Sequence, residues 1–97
     1  MATSLKQAEY AAVLRAAEAL RDQGATEVYL FGSAVSGRLR EGSDIDIAVT
    51  GLPPERFLRA MSLAANELDR TLSLVDLDDD TPFTRYLRSE GRLQRVG

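Results

Sequence analysis

The stretch Asp44-Ile45-Asp46-Ile47-Ala48-Val49 restricts the fold more than any other part of the chain. Side chains two apart on a strand share a face. Read as a strand, it carries Ile45, Ile47 and Val49 on one side and Asp44 and Asp46 on the other. Such a strand lays its aliphatic side on a core and leaves its acidic side open, so a covering layer is needed on one face only.

The flanking sequence supplies that layer. Ser4-Leu-Lys-Gln7 has the form of a capping box and opens an alanine-rich stretch to about Gln23. In it Leu5, Ala8, Ala12, Ala16 and Leu20 recur at helical spacing, with Val13 and Ala17 beside them. Glu27–Phe31 reads as a strand closed by Gly32-Ser33, and Ser33 to Leu39 holds one or two helical turns. Pro53 and Pro54 set up a helix at about Glu55, with Phe57, Leu58, Met61, Ala64, Ala65 and Leu68 as its apolar stripe. Thr71–Leu77 gives a third strand, Thr81-Pro82 opens a last helix through Phe83, Tyr86 and Leu87, and Arg92–Val96 a short final strand. The expected fold is α/β: one domain over 1–97, with a small mixed β-sheet and helices packed on one face.

Composition limits the chemistry. With 97 residues, no cysteine and no histidine, the chain holds no disulfide, thiolate metal site or imidazole base. Carboxylates, hydroxyls, arginines and bound ions remain. The net charge of -3 disfavours direct nucleic-acid binding, because most arginines are interleaved with acids. No apolar run is long enough to cross a bilayer, and Met1 to Leu5 is not followed by a signal-peptide stretch, so a cytoplasmic protein is expected.

Asp44 and Asp46 crowd two like charges into one small volume, which a hard cation such as Mg²⁺ relieves. Asp-X-Asp is also common in solvated turns, and Asp78-Asp79-Asp80 reads that way. Asp76, between Val75 and Leu77, is the expected third carboxylate, with Asp78, of the same strand parity, as a lesser rival. Gly32 lets backbone approach a phosphate closely, and Ser33 adds a hydroxyl. Together these parts suit metal-assisted phosphoryl or nucleotidyl transfer: Gly32 and Ser33 on the phosphates, Asp44 and Asp46 on the ions, and Asp76 beside the incoming hydroxyl as ligand and base.

Phe31-Gly32-Ser33, the step to Asp44-Ile-Asp46, and Leu68 through Asp76 resemble the minimal nucleotidyltransferase family of the polymerase-beta-like superfamily. Phe83 to Gly91 looks like that family's terminal helix and glycine. The resemblance implies transfer of AMP from ATP with Mg²⁺, two ions in all, and an all-helical HEPN-type toxin as partner, modified on a tyrosine by an antitoxin. It gives Gly32 and Ser33 the triphosphate role, Asp44 and Asp46 the metal role, and Asp76 the third-carboxylate role. The chain departs from the family where many relatives carry Gly-Ser-X-Ala-Arg-Gly: Ser36 replaces the arginine, so Arg38 or Arg40 is expected to reach the phosphates.

If Asp76 faces the open side, alternation places Leu72 and Leu74 there too, as a docking surface for a partner or a second copy in a homo-oligomer. The competing expectation is a binding module that neutralises its partner by contact, with an idle nucleotide site.

Overall fold

The computed structural model describes residues 5–97. Helix α1 (Gln7–Asp22) leads into β1 (Glu27–Phe31), the four-residue α2 (Ser33–Ser36) and β2 (Ile45–Thr50). Then follow α3 (Phe57–Ala65), β3 (Leu72–Asp76), α4 (Pro82–Ser89) and β4 (Gln94–Arg95). The expected Ser4 cap lies outside the described residues. The Lys6 N–H donates to Glu9 Oε1 at 3.3 Å, so an acid in the first turn satisfies one of the amides that a helix start leaves unpaired. Pro54–Arg56 form a 3-10 turn, which moves the start of α3 from the expected Glu55 to Phe57.

The four strands make one mixed sheet in the order β3-β2-β1-β4. Strand β1 runs antiparallel to β2 and β4, whereas β2 and β3 are parallel, with α3 on the connection between them. Register sorts the side chains. Val28 faces Val49 and Leu30 faces Ile47, while Ile45 and Ile47 lie beside Leu72 and Leu74. These residues form the main core with Val13, Ala16, Ala17 and Leu20 of α1 and Ala60 and Ala64 of α3. The alanines let both helices sit close to the sheet. Arg21 of α1 donates to the Val96 carbonyl, tying the end of the chain to this layer.

Two expectations need correction. Leu72 and Leu74 do not face the side that carries Asp46: the parallel register with β2 sets them, partly buried, against the main core. Helices also cover both faces. Leu87 of α4 packs with Phe31, Ala48 and Leu77 on the second face, with Tyr29, Val75 and Leu93 around them. Small Ala48 at the centre of β2 leaves room for that contact. Within α3, Ala60 is buried while Leu58 is 72% exposed, so Leu58 is no part of the buried stripe. Among the described residues, no helix is long and apolar enough to cross a membrane.

Ile47 is fully buried at the centre of β2. Ile47→Ala is expected to cost about 2–5 kcal/mol in urea unfolding, through lost transfer energy and the cavity left behind. Leu58→Ala, on the exposed side of α3, is expected to stay within about 0.5 kcal/mol of the parent. Equal costs would refute this division of the two leucine-sized side chains between core and solvent.

Candidate active site

At the end of β1 the chain turns at Gly32, whose φ is +71°. Phe31 is the register partner of Asp46, which brings the turn against that carboxylate. A Cβ on Gly32 would lie 2.3 Å from Asp46 Oδ2, so the Asp46 carboxylate would have to move aside. The positive φ favours glycine here, and the missing side chain lets the turn lie close against the Asp46 carboxylate. The Gly32 carbonyl accepts from the Val35 and Ser36 N–H groups at 3.1 and 3.0 Å, which closes α2 and holds Ser33 at its first position.

Asp44 is exposed just before β2, and Asp46 is partly buried inside it. Burial pushes the Asp46 carboxyl above the ordinary carboxylate range, and the charge of Asp44 adds to that, while a hydrogen bond with the Ser73 side chain works in the opposite direction. Ser73 is the register partner of Asp46 on β3. The residue that meets the aspartate from the neighbouring strand is therefore a hydroxyl.

Asp76 does not take the place expected for it. It pairs with Val49, so alternation turns it toward the α1 and α3 side, and three residues beyond Ser73 correspond to about 10 Å along a strand. Its Oδ1 accepts from the Asp78 N–H at 2.9 Å and shapes the turn after β3. Asp78 is equally occupied elsewhere: its Oδ2 accepts from the Gly51 N–H at 2.6 Å, and Arg88 stands 3.7 Å from its Oδ1. Among the described residues, no group of three or more acidic side chains could hold a metal ion.

The pair that remains fits a cation of modest demands. Asp44 and Asp46 offer hard oxygen donors whose mutual repulsion a divalent ion offsets, and Mg²⁺ commonly completes its shell with water and phosphate oxygens. Arg38 and Arg40 are exposed in the loop between α2 and β2. That loop is braced by Arg70, which sequence reasoning passed over. Its Nη1 donates to the Arg40 and Ser43 carbonyls at 2.7 and 3.1 Å, and its Nε to Glu9 Oε2 at 2.8 Å. The same contact, together with the Lys6 amide, holds the Glu9 carboxyl below its ordinary range. Arg70 so links α1 to the segment that delivers Asp44.

A glycine turn wedged against paired carboxylates on a mixed sheet places the domain in the nucleotidyltransferase class. The chain belongs to the polymerase beta nucleotidyltransferase family, whose model matches residues 16–93. Among solved structures it is similar to a toxin-antitoxin crystallised with AMP-PNP, at 30% identity and a TM-score of 0.66, over 81% of this chain and 68% of the other. It is also similar to the toxin-antitoxin MntA-HepT, at 26% identity and a TM-score of 0.60, over 91% of this chain and 70% of that one. No curated protein matches it.

Because Asp46 ionises at a higher pH in the folded chain than in the unfolded one, its charge costs stability above both values and nothing below them. Without divalent ions, Asp46→Asn is expected to raise the urea midpoint at pH 7. The gain should shrink as pH falls through the raised folded value of Asp46 and vanish below the unfolded aspartate value near ~3.9. A variant less stable than wild type at pH 7 would show that the carboxylate is compensated within the protein.

Proposed function

We propose that this domain binds a Mg²⁺-complexed nucleoside triphosphate and transfers its nucleoside monophosphate, AMP from ATP, to a hydroxyl of a partner protein. The partner would be a helical HEPN-type toxin, the acceptor a tyrosine, and the domain the antitoxin. The observation that carries this reading is the contact between the Gly32 turn and Asp46, since it sets a phosphate-approachable backbone against the carboxylate pair. The likeness to a toxin-antitoxin crystallised with AMP-PNP supports both the nucleotide and the partner.

In this reading Gly32 and Ser33 hold the terminal phosphates, Asp44 and Asp46 hold the cation, and Arg38 and Arg40 in the braced loop face the remaining phosphate charge. Bound Mg²⁺ would supply charge neutralisation at the phosphates. The acceptor hydroxyl oxygen attacks the α-phosphorus, the bond to the β-phosphate oxygen breaks, and pyrophosphate leaves. With Asp76 turned away, the acceptor's proton passes to water or to a group on the partner.

A second reading rests on the same departure. A carboxylate pair with Ser73, rather than a third acid, beside it also suits a protein that holds nucleotide and neutralises its partner by contact. The two separate in one assay. With Mg²⁺ and α-labelled ATP, the wild-type chain is expected to label the helical partner at a tyrosine, and Asp46→Asn to lower the rate at least about a hundredfold, as losing a principal electrostatic group does. Neutralisation by both proteins, with no label on the partner, would establish contact inhibition instead.

A further inference from the structure

Two large side chains of α4 are left in solvent on the face that carries Asp46: Phe83 is 50% exposed and Tyr86 56%. Neither exposure contributes to the core, since Thr84 and Leu87 are the residues that α4 buries. Phe83 and Tyr86 fall at i and i+3 and so share one side of the helix as a short stripe, with Glu90 just past its end. Phe83 is held by Phe31, with ring centroids 6.2 Å apart and planes tilted by 60°. The stripe is therefore anchored to the residue next to Gly32.

Between this stripe and the glycine turn lies a hollow of about 350 Å³. Gly32 and Ser36 form one wall, Phe83 and Tyr86 another, and Glu90 and Arg92 its polar rim. The larger hollow, about 460 Å³, opens at the edge of β3 around Phe57 and Asp76, and neither Gly32 nor Asp46 lines it. Only the smaller one is continuous with the turn assigned to the phosphates.

We infer that this hollow receives the purine base of the nucleotide whose phosphates lie at Gly32 and Asp46, with Tyr86 as the stacking surface. The inference rests on the proposed triphosphate site and extends it to the part of the ligand that the sequence could not assign. Three features select the occupant. Gly32 lines the hollow, so a triphosphate that curls over the Gly32 turn brings its ribose and base round to it. An exposed aromatic ring gives a flat π-surface, on which purines stack with more area than pyrimidines. The rim pairs an acceptor, the Glu90 carboxylate, with a donor, the Arg92 guanidinium, and purine edges present donors and acceptors side by side. Ser36 fits the same picture: at the wall of the hollow its small side chain leaves space for a ring.

The test compares whole nucleotides with phosphate alone. Binding of ATP, GTP, CTP and inorganic tripolyphosphate, each with Mg²⁺, is measured by calorimetry on the full chain and on Tyr86→Ala, Tyr86→Phe and Asp46→Asn. Wild type is expected to bind both purine nucleotides more tightly than CTP. Tyr86→Ala should weaken the purine nucleotides roughly tenfold, the effect of losing one base-aromatic stack. It should leave tripolyphosphate affinity unchanged, and Tyr86→Phe should retain the parent values. Asp46→Asn should weaken all four ligands alike. If Tyr86→Ala leaves the purine nucleotides unaffected, or weakens tripolyphosphate as much as ATP, the base site is overturned while the phosphate site stands. If wild type binds neither tripolyphosphate nor any nucleotide, both fall.

Discussion

Ile45, Ile47 and Val49 are at most 2% exposed, and this burial sets the register of the whole sheet. A slip of one residue in β2 would turn the Asp46 carboxylate into an alanine-lined core and three aliphatic chains outward, at a cost of several kcal/mol for the buried charge alone. The pattern of one strand thus fixes where its neighbours pair. Once Ile47 meets Leu30 on one side and Leu74 on the other, Asp46 must stand between Phe31 and Ser73. The acidic site is a consequence of how the core is packed on the reverse of the same strand.

That coupling explains why the glycine turn and the carboxylate pair occur together. Gly32 follows the last residue of β1, and the antiparallel register with β2 delivers it to Asp46 without any further element. Asp44 needs more help, because it precedes β2 and is exposed. Arg70 provides it, donating to the carbonyls of Arg40 and Ser43 while paired with Glu9. A partly buried guanidinium with three acceptors loses less entropy per bond than an isolated surface pair, so this brace is worth more than the exposed Arg85–Asp80 pair on α4.

Local pattern made β1 legible to the residue and set the Gly32 turn beside Asp46, while β2 begins at Ile45 rather than at the expected Asp44. Asp76 was misplaced for a different reason. Val75 and Leu77 do face opposite to it, as alternation requires, yet alternation alone does not say which face is which. That choice belongs to the pairing between β2 and β3, and a parallel pair joined through α3 leaves no turn from which to read its register. Ser73 was passed over by the same step, Arg70 because its partners lie 27 to 61 residues away, and α4's position because one helix's pattern does not name the face it covers.

The geometry divides the site into parts with unequal support from this chain. In the proposed reading the phosphate and cation positions rest on Gly32 and Asp46, which the sheet register holds together, and burial raises the ionisation of the Asp46 carboxyl. An electrostatically strained carboxylate without a cation gains most when one arrives, which suits a site whose first task is to capture a charged ligand. The position that would act on an acceptor hydroxyl holds Ser73, whose hydroxyl is far too weak a base at neutral pH to take that proton. Under the proposed reading, binding is complete within the domain and the transfer step is not. Its rate then depends on what the partner presents when docked, so that modification is confined to the one protein able to complete the site.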